Sequence, residues 1–283
     1  MTRTVYVNGS FCTEDEAKIS VFDRGFLFAD AVYEVIAVLD GKLVNFARHM
    51  HRLRRSLGEI DVAEPLSETD YLSVMRQLVS ENQLDEGLVC LEISRGVADR
   101  DFLYPDGLEP TVVMFTQVKT MVNSVNSRNG VKLKSSDDIR WARRDIKSTG
   151  MLAQVMAKQA ARLAGADETI MVADGYVTEG GSCNIYIVKD GVVITRHLSN
   201  EILAGITRAS LMSLARENRI KIEERPFTLD EAYAADEMFT SSASTFICPV
   251  VAIDGRPVNS GMIGPVVREL QGIYVAHARR TAI

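Results

Sequence analysis

Apolar and polar positions follow two different periods along this chain, and the places where the period changes mark its elements. Thr4–Val7 and Phe11-Cys12 flank Asn8-Gly9, which predicts a tight hairpin because both turn residues tolerate positive φ. A loop of small and aromatic residues, Asp23 to Ala31, leads to a predicted strand over 32–39, the turn Asp40-Gly41 and an extended 42–44. From Asn45 the period becomes helical. Phe46, Met50, Leu53, Leu57 and Ile60 form one stripe, and Arg48, His49, Arg52, Arg54 and Arg55 fall on the other faces. Ser67-Glu68-Thr69-Asp70 opens a second helix with Tyr71, Val74, Met75 and Leu78 on its apolar side. Strands follow over 88–94 and 111–117, joined by a loop that carries Arg95, Asp99, Arg100, Asp101, Phe102 and Tyr104. The polar run 119–130, rich in Asn and Ser, suits a linker.

Beyond that run, 131–134 reads as extended. A helix is predicted from Thr149 to Ala164, with Leu152, Val155, Met156, Ala160 and Leu163 on a buried side and Gly165 as terminator. Residues 168–173, 176–178, 184–189 and 192–195 form a meander through the turns Asp174-Gly175 and Asp190-Gly191, with Glu179–Cys183 as a loop. A helix starts at Gly205-Ile206-Thr207 and ends near Asn218, and a second capping box, Thr228 to Glu231, starts a short one. The strand 237–240, the hydroxyl-rich Ser241–Thr245, a hairpin at Asp254-Gly255 and a terminal helix complete the chain. The expected organisation is α/β (α+β) in two domains: a small N-terminal α/β domain over 1–118, a linker over 119–130 and a larger C-terminal domain over 131–283.

Composition narrows the function classes. Hydrophobic residues at 46% and charged residues at 25% are ordinary for a globular chain, and a net charge of −6 argues against a general nucleic-acid binder. Neither a signal peptide nor a run long enough to span a membrane is visible, so a cytoplasmic location is expected. Cys12, Cys90, Cys183 and Cys248 are widely spaced, and no His/Cys spacing suggests a metal site.

Four stretches could carry chemistry. Asp138 to Lys147 holds the single Trp of the chain, three Arg and one Lys just before a helix. A lysine amine becomes a nucleophile toward aldehydes when its surroundings hold it and disfavour its charged form, which nearby arginines help to do. Gly205-Ile206-Thr207 sets free N–H groups and a hydroxyl at a helix start, where anions bind. Ser241–Thr245 offers hydroxyls at a strand end, and Thr178-Glu179-Gly180-Gly181-Ser182 places a carboxylate where the backbone admits close approach. Each has an ordinary reading as a solvated strand, a cap or a turn. Together they match what pyridoxal 5′-phosphate requires: a Schiff-base lysine, an acid for the pyridinium nitrogen and a phosphate cup.

The chain resembles the class IV (fold type IV) pyridoxal-phosphate aminotransferases, most closely the D-amino-acid aminotransferases. The motifs that carry the likeness are Asp23-Arg24-Gly25 through Ala31-Val32-Tyr33-Glu34-Val35, Ile139-Arg140-Trp141 through Lys147-Ser148, Val177-Thr178-Glu179-Gly180 with Ser182 and Asn184, and Gly205-Ile206-Thr207-Arg208. The resemblance implies a two-domain homodimer with the cofactor at the domain interface. It makes Lys147 the Schiff-base lysine and proton shuttle, and Glu179 the partner of the pyridine nitrogen. Arg52, Ile206, Thr207 and Ser242 become phosphate contacts, with Ala243 where a further hydroxyl is usual. Arg140 is expected near the cofactor's phenolic oxygen or Lys147, and Leu203 against the ring. For the substrate α-carboxylate it implies Tyr33 and Arg100, while Phe102 stands where the family has His and Ala31 where Gly is common.

The implied reaction moves an amino group between D-amino acids, such as D-alanine or D-glutamate, and 2-oxo acids such as 2-oxoglutarate or pyruvate. Leu152 occupies the position where branched-chain aminotransferases carry a Tyr, which favours the D-specific branch. Phe102 keeps open an (R)-selective amine transaminase, and a branched-chain L-aminotransferase or an aminodeoxychorismate lyase shares the fold. A silent binding protein is the rival of another class; the presence of both Lys147 and Glu179 argues against it.

Overall fold

The computed structural model describes residues 2–283, and the chain falls into two compact units. The first comprises residues 2–120, 146–150 and 278–283; the second comprises 121–145 and 151–277.

In the first unit β1 (Thr4–Val7), β2 (Ser10–Thr13), α1 (Arg24–Phe28), β3 (Ala31–Leu39) and β4 (Lys42–Leu43) precede α2 (Phe46–Glu59) and α3 (Glu68–Glu81). β5 (Gly87–Ser94) and β6 (Thr111–Val118) then complete a six-stranded antiparallel sheet of order β2-β1-β6-β5-β3-β4. Alternate residues of its strands, Val32, Ile36, Val38, Val89, Leu91, Ile93, Val112 and Met114, join the apolar stripes of α2 and α3 in one core. Asp70 completes the capping box on Ser67 at the start of α3. The strand alternation leaves Tyr33, Val35, Cys90, Glu92, Val113 and Phe115 on the opposite face, which α2 and α3 do not cover.

The second unit holds α4 (Val125–Asn129), β7 (Val131–Asp137), α5 (Leu152–Leu163), β8 (Glu168–Ala173), β9 (Tyr176–Gly180), β10 (Asn184–Lys189) and β11 (Val192–Thr195). It continues through α6 (Ile206–Glu217), β12 (Ile222–Glu224), α7 (Leu229–Tyr233), β13 (Glu237–Ser242), β14 (Phe246–Ile253) and β15 (Arg256–Pro257). α8 (Pro265–Thr281) closes the chain. Its mixed sheet runs β12-β11-β10-β13-β14-β7-β8-β9, with β15 on β14; the β11–β12, β14–β7 and β7–β8 pairs are parallel. Asn8-Gly9, Asp40-Gly41, Asp174-Gly175, Asp190-Gly191 and Asp254-Gly255 all have positive φ at both residues, the geometry of two-residue hairpin turns. Among the described residues no helix is long and apolar enough to cross a membrane.

Several expectations change. The polar run 119–130 contains α4, capped by Ser124 and packed against β14, because its Asn and Ser side chains serve the helix rather than solvent. Residues 146–150 pack with the first unit: Ile146 enters the core there, and Lys147 O accepts from Tyr33 N at 2.9 Å. The predicted helix 149–164 starts at Leu152, and its apolar stripe does not pack on its own chain. Leu152 is 73% exposed and Leu163 75%, with Val155, Met156 and Ala160 also exposed, whereas Ala161 is buried. β9 extends through Glu179 and Gly180, in place of the expected loop. His49 and Arg52 do not lie on an open face of α2 but are buried against a carboxylate of β3.

Candidate active site

The predicted functional residues gather in two groups, one in each unit. In the first unit Lys147 follows buried Asp145 and Ile146, and the strand-like bridge of Ser148 to Val32 sets it beside β3. Its Nζ lies 4.0 Å from the centre of the Tyr33 ring. Among the described residues this amine has neither a hydrogen-bond acceptor nor a carboxylate partner, and the ring face supplies only a weak attraction for its charge.

Behind this amine β3 carries Glu34 on the helix side, fully buried. Arg52 Nε and Nη2 donate to Glu34 Oε1 and Oε2, each at 2.7 Å, and His49 Nδ1 lies 2.7 Å from Oε2. Burial would raise the Glu34 carboxyl, but the Arg52 charge, then bonds from Arg52 and His49, hold it at about 2. Burial is also the main reason the His49 imidazole is depressed, so the neutral ring donates Nδ1–H to the carboxylate. Sequence reasoning assigns no role to Glu34 or His49. The available signal is a charged residue on the core side of β3, with His49 and Arg52 three positions apart on α2.

The loop 95–110 gives a different picture. Buried Arg24 anchors its backbone, donating from Nη1 to Asp101 O at 2.7 Å, and Arg95 stacks 3.7 Å from the Tyr104 ring centre. Both guanidiniums bind Asp30. Arg100 lies 5.5 Å from the Phe28 ring, and the Phe102 ring packs on Phe28 at 5.7 Å, yet Phe102 remains 81% exposed. Lys147 and Tyr33 are therefore brought together, while Arg100 and Phe102 project from a well-anchored loop. Ala31 is buried at the start of β3, where its carbonyl accepts from Thr149 N.

In the second unit Glu179 is buried near the end of β9. Arg140 Nη1 donates to Oε1 at 2.5 Å, Asn184 Nδ2 to Oε2 at 3.1 Å, and Leu203 N to both oxygens at 3.2 Å. Burial raises this carboxyl above its ordinary range, and Arg140 opposes that without cancelling it. Arg140 is itself held from behind, as Asp138 accepts its Nε at 2.9 Å and its Nη2 at 2.7 Å. Burial lifts Asp138, but bonds and charge from Arg140 bring it below the ordinary carboxylate value, with help from Thr178 and Arg144. Arg140, expected near a phenolic oxygen or Lys147, pairs here with Glu179. The basic look of the stretch before Lys147 dissolves for the same reason: Arg143 pairs with Asp145, and Arg144 with Asp138.

Asn184 also links this carboxylate to a helix start. Its Nδ2 donates to Leu203 O, and its Oδ1 would lie 2.1 Å from a Cβ at position 205, so only glycine fits there. α6 begins at Ile206, and the N–H groups of its first turn have no acceptor within the helix. Thr207 is buried, and its hydroxyl accepts from Tyr274 at 3.4 Å. Asn184 pairs in register with Ser241, which sets the next residues of that strand at the same sheet edge. There Ser242 Oγ lies 2.8 Å from Thr245 Oγ1 and 3.2 Å from Ser244 Oγ, while Ala243 adds no hydroxyl. A helix start with unbonded N–H groups, a hydroxyl cluster and a clamped carboxylate thus belong to one neighbourhood, the kind of setting that suits an anion.

Comparison with known proteins agrees with this chemistry. The family described as Amino-transferase class IV matches residues 31–253. A D-alanine aminotransferase of Staphylococcus aureus (strain MSSA476) is 40% identical over 268 residues, covering 94% of this chain and 95% of its own. A D-alanine aminotransferase of Bacillus licheniformis is 39% identical over 267 residues, covering 94% of each. Among solved structures, a branched-chain aminotransferase from the thermophilic archaeon Thermoproteus uzoniensis, with norvaline, superposes with a TM-score of 0.86. It is 29% identical, with 97% of this chain and 94% of that chain covered.

Proposed function

The chain belongs to the class IV aminotransferases, pyridoxal 5′-phosphate enzymes that take an amino donor and a 2-oxo acid, and from that premise we propose that it transfers amino groups between D-amino acids and 2-oxo acids. D-Alanine and D-glutamate are the donors in view, and pyruvate and 2-oxoglutarate the acceptors. The observation that carries the reading is the lysine amine of Lys147, held over the Tyr33 ring with no carboxylate on it among the described residues. The D-specific branch is supported by a relative 40% identical over nearly the whole chain, against 29% for the branched-chain neighbour.

The donor set fits pyridoxal 5′-phosphate. Once bound, that group supplies a ring that withdraws electrons from the substrate Cα. Lys147 would hold it covalently and move the proton at the substrate Cα, a task suited to an amine without an ion pair. Glu179 would keep a proton at the ring nitrogen, and Arg140, Asn184 and the Leu203 amide would fix its carboxylate for that purpose. Ile206 and Thr207, at the N-terminus of α6, together with Ser242 and Arg52, would receive the phosphate, and Ala243 leaves that set one hydroxyl short. The Leu203 side chain would pack on the ring. Tyr33 and Arg100 would take the substrate carboxylate, with Ala31 and Phe102 shaping the wall beside it. Phe102 cannot donate a hydrogen bond, so the carboxylate depends on the Tyr and the Arg.

A homodimer is part of this reading. The exposed apolar stripe of α5, with Leu152, Val155, Met156 and Leu163, is the surface that a second copy would cover. Sedimentation should show a dimer that Leu152→Glu weakens; a monomeric wild type would remove this part.

A half-reaction panel with D-alanine, D-glutamate, L-leucine and (R)-1-phenylethylamine tests the activity. The two D-amino acids should convert the bound cofactor fastest, seen as loss of its visible absorption. If L-leucine alone reacts, the D-specific reading fails. If the amine alone reacts, Phe102 marks an amine transaminase.

A further inference from the structure

The face of the first sheet that α2 and α3 leave uncovered carries one acidic group. Glu92 on β5 stands directly opposite Tyr33 on β3, a register that puts both side chains on this face with Cβ atoms about 5 Å apart. Tyr33 is the residue whose ring lies under Lys147 Nζ. The next pair along the same face is Val35 and Cys90, and Val113 and Phe115 face Glu92 and Cys90 from β6. Among the described residues the Glu92 carboxyl has no hydrogen bond and no ion pair. Solvent reaches it, yet the surrounding sheet desolvates it enough to lift it above the ordinary carboxylate range.

Cys90 reports the field on this face. Burial, then the charge of Glu92, pushes its thiol up to about 11, while Arg3 and Lys147 pull it back. The thiol therefore stays protonated and is a wall, not a nucleophile. Arg3 is taken up by Glu14 and by Thr116 O.

We infer that Glu92 is a specificity-determining residue for the substrate side chain: opposite Tyr33, whose ring lies under Lys147 Nζ, it disfavours donors that carry a second carboxylate and favours those ending in a cation or a hydrogen-bond donor. The inference rests on the reading above, in which Lys147 works on the substrate Cα. Across this face the row that starts at Lys147 runs through Tyr33 to Glu92, with Val113 beyond it and Val35 and Cys90 in the next row, so a side chain leaving that Cα along the face passes Tyr33 before it meets Glu92. A short apolar side chain such as that of D-alanine is indifferent to the charge. The distal carboxylate of D-glutamate meets a like charge at close range, whereas the ammonium of D-ornithine meets an unpaired anion. Among the substrates of the proposed reaction, D-alanine and pyruvate thus rank above D-glutamate and 2-oxoglutarate.

The test uses the holoenzyme in single-turnover half-reactions with D-alanine, D-glutamate and D-ornithine, comparing wild type, Glu92→Gln and Glu92→Asp. Glu92→Gln should raise the D-glutamate-to-D-alanine ratio of specificity constants about tenfold and lower the D-ornithine-to-D-alanine ratio by a similar factor. Glu92→Asp, which keeps the charge, should retain the wild-type order. Calorimetry with unreactive acids gives a second reading: glutarate should tighten relative to butyrate in Glu92→Gln. Ratios that do not move, or that move equally in both variants, overturn the inference. Wild type inert toward all three D-amino acids would sink the proposed function instead, and the glutarate-to-butyrate comparison would then decide the role of Glu92 alone.

Discussion

Lys147 and Glu179 are both charged groups drawn into the protein, and their surroundings treat that charge in opposite ways. Around Lys147 the amine meets an aromatic face, and no carboxylate lies on it among the described residues. Around Glu179 each oxygen is bonded, its arginine partner is held by a second carboxylate, and that carboxylate takes a further bond from Thr178 at 2.7 Å. A group that must change its covalent state gains from lacking a counter-ion, because an ion pair would hold it protonated. A group that must present a fixed charge gains from being boxed in, because the surroundings do not reorganise when it acts. Under the proposed function, the difference in packing separates the residue that would react from the one that would hold the ring.

The contrast is broken most directly by exchanging which residue is lost. Lys147→Ala should reduce turnover by a factor on the order of 10⁴ or more, and abolish the visible absorption of the holoenzyme. The unfolding midpoint of the apoprotein should hardly change, since no ion pair disappears. Arg140→Ala should show the reverse emphasis. It leaves Glu179 buried without its counter-charge and Asp138 with Arg144 alone, and losing the partner of a buried charge typically costs about 3–5 kcal/mol in unfolding free energy. Urea denaturation of the two apoproteins reads both effects. If Lys147→Ala proves the more destabilising, the amine has a structural partner and the distinction collapses.

The sequence carries the ends of this argument better than its middle. Hairpins are legible because Asn-Gly and Asp-Gly pairs announce positive φ, and both capping boxes form where the Ser/Thr to Asp/Glu spacing places them. Lys147, Glu179 and Thr207 stand out through motifs that chemistry constrains. What stays hidden is pairing across distance. Arg140 reads as a neighbour of Lys147 along the chain, but its guanidinium turns to a strand 39 residues away. The arginines of that stretch look like an electropositive setting, although aspartates within the same ten residues pair with them. α5 shows a limit of another kind: its stripe is apolar as expected, but periodicity cannot say whether the covering surface belongs to the same chain.

Acid sharpens the comparison, because Glu34 and His49 respond to it with the opposite sign to Glu179, and Asp138 beside Glu179 begins to lose its contribution only below its ordinary value of 3.8. Glu34, beneath Tyr33 and Lys147, is held at about 2 against 4.5 for an ordinary glutamate. Its contribution to stability is present above the ordinary value and is lost as pH falls from about 4.5 toward 2. His49 beside it is depressed from 6.5, so the unfolded chain takes up its proton first, and the folded state begins to weaken as pH drops below that value. Glu179 is raised, mainly by burial, so the folded state binds its proton more readily than the unfolded chain does. Its contribution is present at low pH and fades as pH rises through its folded-state value. Lowering the pH from neutral to about 4 should therefore loosen β3 and α2 before β9 and β10. Hydrogen exchange read by mass spectrometry resolves these segments. His49→Gln should remove the first loss of protection in β3 and α2 and leave β9 and β10 as they were. Exchange that rises first in β9 and β10 would mean that the boxed carboxylate, and not the Glu34 clamp, is the acid-sensitive point of the fold.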